Sequence, residues 1–351
     1  MDTKLQIINP DMFVPEELGA ACRILKSGGL VAFPTETVYG LGGDALRKDA
    51  SARIYEAKGR PSDNPLIVHV SDAGALEEIA DRVPDNAKKL AAAFWPGPLT
   101  MILHKSELVP YGTTGGLDTV AVRMPDHKIA LELIRQSGVY VAAPSANTSG
   151  RPSPTKAEHV WEDLNGKIDY IIDGGRVGIG LESTIIDLTG NVPMILRPGA
   201  ITKSMLEKVI GLVEYDPAVI SKESRKDTVA KAPGMKYRHY APKGEMVIVE
   251  GSMENVTAKI NHMIHQKKKE NVAVIASEET KECYPDVKVC CIGSRKDEAE
   301  IAARLYDVLR QMDSLDVKYI YAESFLSEEL GQAIMNRMFK AAGYHIIDAD
   351  A

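Results

Sequence analysis

Short apolar runs alternate with longer amphipathic stretches along most of this chain, a pattern that predicts an α/β fold. In the first half, helices are predicted over Pro15–Ser27, Ala50–Lys58, Ala73–Arg82, Asn86–Phe94, His127–Gln136 and Lys156–Leu164. Gly28-Gly29 closes the first helix, and Pro96-Gly97-Pro98 stops the fourth. Strands are predicted over Leu30–Phe33, Leu66–Val70, Leu99–His104, Thr119–Met124, Tyr140–Ala143, Tyr170–Ile172, Ser183–Leu188 and Met194–Leu196, with a Gly-rich link at Gly112–Gly116. Unequal connections between them imply both parallel and antiparallel pairs, hence a twisted, open mixed sheet with a central cleft. Periodicity weakens and charge rises over residues 211–242, which reads as a linker. Clean alternation resumes over 243–351, predicting a small Rossmann-like domain, although no G-x-G-x-x-G stands there to hold a dinucleotide. The resulting division is a first domain at 1–210, a linker at 211–242 and a second domain at 243–351.

A chain of 351 residues exceeds one typical core and agrees with two domains. The formal net charge of -7 gives no global field for nucleic acid or an anionic membrane, so any nucleotide must be gripped locally. Direct nucleic-acid binding is therefore expected to be weak or absent. No apolar run reaches the ~18 residues of a membrane span, and the N-terminus has no signal-peptide pattern, so a cytosolic location is expected. The four cysteines, Cys22, Cys283, Cys290 and Cys291, have no metal-ligand spacing and read as reduced and structural.

Chemistry concentrates in loops that follow predicted strands and helices. Lys58-Gly59-Arg60-Pro61-Ser62-Asp63-Asn64-Pro65 sets two cations two residues apart, ahead of a proline-stiffened turn and the strand that carries His69. Arg offers a bidentate fork and Lys a point charge, a combination suited to phosphate or carboxylate. The bland reading is a solvated helix end whose cations favour the C-terminal dipole. Phe33–Asp44 brings Thr35, Thr37, Tyr39 and three close glycines, either a loop that lets backbone approach a ligand or a tight turn. Arg123 ends an apolar strand, where it either holds a substrate carboxylate or pairs with Asp118 or Asp126. A second polar loop runs from Pro144 to Thr155, and Ser183 and Arg197 stand at further strand ends. Trp95–Thr100 reads as a rigid structural corner, and His69 as a candidate core histidine. No P-loop is present.

Together these segments resemble the threonylcarbamoyl-AMP synthase family in its long form. The matching pieces are PTETVYGLGGDA (34–45), KGRPSDNPLIVHV (58–70), WPGPLT (95–100), LDTVAVRMP (117–125), APSANTSGRPSPT (143–155), ESTIID (182–187), LRPG (196–199) and APGMKYRHYAP (232–242). The resemblance implies condensation of L-threonine, bicarbonate or CO2, and ATP into threonylcarbamoyl-adenylate with release of pyrophosphate. A separate ligase then passes the group to the adenosine beside a tRNA anticodon. It also implies that Lys58, Arg60, Ser145 and Asn147 surround the phosphates and reacting centre, with Asn64, Thr119, Ser153 and Arg197 as further ATP contacts. Thr35, Thr37, His69, Arg123, Ala143 (through its backbone) and Ser183 fall on the threonine side. Tyr237 and Arg238 would close over the nucleotide as part of a lid at 232–242, and Mg2+ would be held mainly through phosphates. Two other readings are a carbamoyl-adenylate former of the hydrogenase-maturation type and a double-stranded RNA-binding or ribosome-assembly module. The first lacks its zinc-finger cysteines here, and the second lacks a basic stripe.

Overall fold

The computed structural model describes residues 2–220, 232–233, 239–325 and 329–351. The chain divides into two compact units. Of the described residues, the first unit takes in 2–149, 153–220 and 232–233, and the second 150–152, 239–325 and 329–351.

The first unit contributes strands β1 (Lys4–Ile7), β2 (Val31–Phe33), β3 (Gly40–Asp44), β4 (Ile67–His69), β5 (Leu99–His104), β6 (Thr119–Arg123), β7 (Val141–Ala142), β8 (Tyr170–Asp173), β9 (Thr184–Asp187), β10 (Met194–Arg197) and β11 (Glu214–Tyr215). Among the described residues they form one sheet in the order β1-β8-β2-β3-β7-β4-β6-β5-β9-β10-β11. Parallel pairs such as β4–β6 and β5–β9 mix with antiparallel pairs such as β5–β6 and β4–β7, so the sheet is mixed as the unequal connections imply. The second unit adds β12 (Glu245–Glu250), β13 (Val272–Ala276), β14 (Lys288–Cys291), β15 (Tyr319–Glu323) and β16 (Ile346–Asp348) in the order β14-β13-β15-β12-β16, all pairs parallel. This is the expected small parallel α/β layer, with its fourth strand inserted between the first and second, unlike the doubly wound order. No helix of the described residues is long and apolar enough to cross a membrane.

Three local expectations change. The segment Gly40-Leu41-Gly42-Gly43-Asp44, read as a ligand-approach loop or tight turn, is strand β3 between β2 and β7. Its glycines answer a packing demand. A Cβ on Gly42 would stand 2.7 Å from Val141 Cγ1 and 2.8 Å from Phe33 Cε1. Gly42→Ala is therefore expected to cost about 1–3 kcal/mol through overpacking. A thermal melt indistinguishable from the parent would refute that tightness. The helix predicted over Ala73–Arg82 shrinks to a 3-10 turn at Ala73–Ala75 and one helical turn at Leu76–Ile79. Beyond it Ala80 turns extended and bridges Lys105, and Asp81 N donates to His104 O at 3.0 Å, so a tertiary pairing overrides the local preference. The Gly-rich link begins with a short helix, Tyr111–Thr114, capped by Gly115 at φ 62. A Cβ there would meet the backbone of Asp63 and Pro65 at 3.1 Å, which is how this turn presses against the Asn64 loop.

Candidate active site

The helix Lys48–Lys58 ends on Gly59 in the left-handed conformation, φ 60. That turn sends Lys58 inward rather than into solvent. Its side chain is 1% exposed, and Nζ donates to Ser145 O and Asn147 O at 2.5 Å each. Ser149 N returns a bond to Lys58 O at 2.8 Å. Within the same loop Ser145 Oγ donates to Asn147 Oδ1 at 2.5 Å, and Asn147 Nδ2 to Thr148 O at 2.8 Å. A buried ammonium thus braces a whole polar loop, and the solvated-helix-end reading is overturned for Lys58. Arg60 stays half-buried and donates from Nη2 to Pro65 O at 3.1 Å, with longer contacts of 3.4 Å to Asn64 O. Asn64 is buried, and its Oδ1 has no hydrogen-bond partner among the described residues.

Period-two alternation on the neighbouring strands sorts the sheet into two faces. Val68, Val122, Met101, Ile186 and Ile195 fill the main core. Ile67, Ala121, Ile102, Ile185 and Leu196 cluster separately. One step of two along that second face, the apolar row becomes polar: His69, Arg123, Thr100 and Ser183. Register places His69 opposite Arg123 and Arg123 opposite Thr100. Thr100 Oγ1 shares a 2.7 Å hydrogen bond with Ser183 Oγ. Arg197, delivered by a bulge in β10, donates from Nη2 to that Ser183 Oγ at 3.1 Å and from Nε to Ser183 O at 3.0 Å. Arg123, Ser183, Thr100 and Arg197 therefore make one continuous polar strip. Thr119 sits at the opposite end of β6, four residues and ~13 Å from Arg123 in an extended strand.

Arg123 pairs neither with Asp118 nor with Asp126 but with Glu36, Nη2 to Oε2 at 2.7 Å, both side chains largely buried. Its Nε leans on Gly97 O at 3.4 Å, so the Trp95–Thr100 corner also supports the site. Thr35 Oγ1 and Thr37 Oγ1 lie 2.9 Å apart, and Thr35 Oγ1 donates to Val38 O at 2.7 Å, closing the loop around Glu36. Ser153 Oγ donates to Glu182 Oε1 at 2.6 Å. The Ala143 N–H donates to Ile67 O at 2.8 Å, so its backbone is available only through the carbonyl. Glu36, Thr100 and Gly97 were missed as site residues from sequence. The signal for Glu36 was its place between two buried threonines, and for Thr100 its phase with Met101 and Ile102.

His69 is 4% exposed, its Nδ1 3.1 Å from Ile67 O and its ring edge-on to Phe33. Burial, assisted by Arg123, pushes its pKa from an ordinary 6.5 down to about 3. It is a neutral wall of the strip at neutral pH. The unfolded chain takes up this proton near 6.5 and the folded one refuses it, so the contribution is complete above 6.5 and is lost as pH falls toward 3. The expected slope is up to ~1.4 kcal/mol per pH unit. Denaturant midpoints for the parent and His69→Asn at pH 7.5 and 5.5 test this: the parent should lose more on acidification, and parallel losses would refute it.

Ala232, from the linker, is fully buried against Ile67, Ile102, Ala121, Ile185 and Leu196, the apolar part of the face that carries the strip. Tyr237 and Arg238 lie outside the described residues.

Buried cations, hydroxyls and a braced polar loop are thus carried together by one mixed α/β sheet. Residues 23–199 match the family model described as Telomere recombination, and residues 201–343 the one described as Threonylcarbamoyl-AMP synthase, C-terminal domain. The chain is 53% identical over 329 residues to the threonylcarbamoyl-AMP synthase of Pyrococcus abyssi, covering 93% of this chain and 94% of that protein. It is 49% identical over 334 residues to the Bacillus subtilis threonylcarbamoyl-AMP synthase, with 94% of each covered. Among solved structures it resembles P. abyssi Sua5 complexed with L-threonine, with a TM-score of 0.92, 49% identity and 99% of each chain covered. The chain belongs to the threonylcarbamoyl-AMP synthase family. These likenesses support the synthase reading and not an RNA-binding module.

Proposed function

We propose that this protein is a nucleotidyltransferase that condenses L-threonine, bicarbonate or CO2, and ATP into L-threonylcarbamoyladenylate and pyrophosphate. Its product would supply a tRNA threonylcarbamoyl-transfer ligase in the cytoplasm. The observation that carries this reading is strand adjacency: the Lys58-braced loop leaves β7, whose Val141 pairs with His69 of β4, and His69 in turn pairs with Arg123 at the start of the polar strip. In this reading the catalytic domain runs past the expected boundary at 210, because β11 (Glu214–Tyr215) pairs with β10 in the same sheet; the linker and lid follow it, and 243–351 form the second domain.

The chemistry follows from charge and placement. Arg123 takes the threonine carboxylate, and the hydroxyls of Thr35, Thr37 and Ser183, the Ala143 carbonyl and neutral His69 shape the rest of that subsite. The threonine amine, deprotonated, adds to the carbon of CO2 as one C=O π bond opens, and loss of an N–H proton to solvent gives a carbamate. A carbamate oxygen then attacks the α-phosphorus in line as the bond to pyrophosphate breaks. Lys58, Arg60, Ser145 and Asn147 offset the developing charge, while Asn64, Thr119, Ser153 and Arg197 position ATP. Such a reaction depends on orientation and electrostatic stabilisation and uses no protein nucleophile. Among the described residues no group of three or more His, Cys, Asp or Glu side chains is placed to hold a metal ion. The site's carboxylates, Glu36 and Glu182, face Arg123 and Ser153 respectively, so Mg2+ would be held mainly through the ATP phosphates. Docking of Ala232 supports a lid role for the linker, which would exclude water from a labile adenylate through Tyr237 and Arg238.

The test is a pyrophosphate-release assay with threonine, bicarbonate and ATP, each omitted in turn. Release that needs all three supports the reading, and release indifferent to threonine overturns it.

A further inference from the structure

We infer that Glu36 anchors the α-amino group of the amino-acid substrate, forming with Arg123 a two-pole clamp for a zwitterion; this rests on the threonine reading above. Arg123 Nη2 and Glu36 Oε2 stand 2.7 Å apart, yet neither Glu36 oxygen nor that nitrogen has an aligned hydrogen bond among the described residues. A buried carboxylate and guanidinium left in this state carry desolvation that their mutual attraction does not fully offset. An α-amino acid supplies both complements at once: a carboxylate for the unspent donors of Arg123 and an ammonium for the unspent acceptors of Glu36.

The backbone around Glu36 is fixed for this task. Ile179 N donates to Glu36 O at 2.8 Å and Gly180 N to Thr37 O at 3.1 Å, while Thr35 Oγ1 accepts from Thr37 N and Val38 N at 3.2 Å. The loop therefore cannot swing Glu36 away without losing bonds on both sides of it. His127, whose buried Nδ1 also has no hydrogen-bond partner among the described residues, adds a second polar group near this carboxylate. A carboxylate that merely positioned Arg123 would show an aligned bidentate bond to it. One that merely occupied the substrate's place would compete with threonine.

The experiment measures binding, without ATP, of L-threonine and of the dihydroxybutanoate that keeps threonine's carbon skeleton but carries a hydroxyl in place of the ammonium. The unaltered protein should bind the hydroxy acid about tenfold or more weakly, as expected for losing a buried charge-assisted hydrogen bond. Glu36→Gln should weaken threonine by a similar factor and shrink the difference between the two ligands, with its Michaelis constant for ATP unchanged. The comparison on the unaltered protein stands even if the variant folds poorly. Equal affinity of the unaltered protein for the two ligands, or unchanged or tighter threonine binding by Glu36→Gln, overturns the clamp. Failure of the unaltered protein to bind threonine at all instead overturns the functional reading, and the clamp with it.

Discussion

Lys58→Ala is expected to cut pyrophosphate release by ~10²-fold or more, the scale of losing one preorganised charge aimed at a transition state. The loss has two physical parts. The ammonium would no longer offset the charge that develops as pyrophosphate leaves. In addition, Ser145 O and Asn147 O would lose the donor that holds their loop, so Ser145 and Asn147 would drift from the reacting centre. Lys58→Arg should not restore activity, because a side chain 1% exposed leaves no room for a guanidinium. Arg60→Ala should cost a comparable factor with little loss of folding stability, since Arg60 is half-buried and spends its bonds on nearby loop carbonyls. Steady-state pyrophosphate release with saturating substrates measures both, and near-normal turnover in either variant would refute its place in the anion clamp.

Arg123→Ala is expected to act on stability and on threonine together. Removing the guanidinium leaves Glu36 as a buried, uncompensated carboxylate, at a cost of ~3–5 kcal/mol. Neutralising that carboxylate in the double variant Arg123→Ala/Glu36→Gln should recover most of the stability. It should not recover threonine affinity, because the carboxylate partner is still missing. Denaturant unfolding of the two single variants and the double completes the cycle. Additive stability losses would sink the buried pair as an energetic unit. On the kinetic side, the Michaelis constant for threonine should rise well beyond that for ATP, and an effect confined to ATP would reassign Arg123.

Much of the site was legible because its members ride on local patterns. Apolar runs at Leu66–Val70 and Thr119–Met124 marked the strands that carry His69 and Arg123, and the amphipathic stretch Ala50–Lys58 marked the helix that ends on Lys58. Two features were not legible. The glycines of β3 look like a loop in one dimension, because what demands them is the bulk of Phe33 and Val141 from other strands. The partner of Arg123 lies 87 positions away in sequence, while the nearby Asp118 accepts from the Tyr111 hydroxyl instead.

By itself, then, the amino-acid order determined the alternation of strands and helices, the two-part organisation and the set of cations and hydroxyls available for anion chemistry, since these depend on neighbours within a few positions. Tertiary structure alone decided that Lys58 turns inward, that Glu36 meets Arg123, and that Ala232 covers the apolar part of the working face. Those outcomes depend on strand register and on which surfaces must be shielded from water, and both are set by residues far apart along the chain.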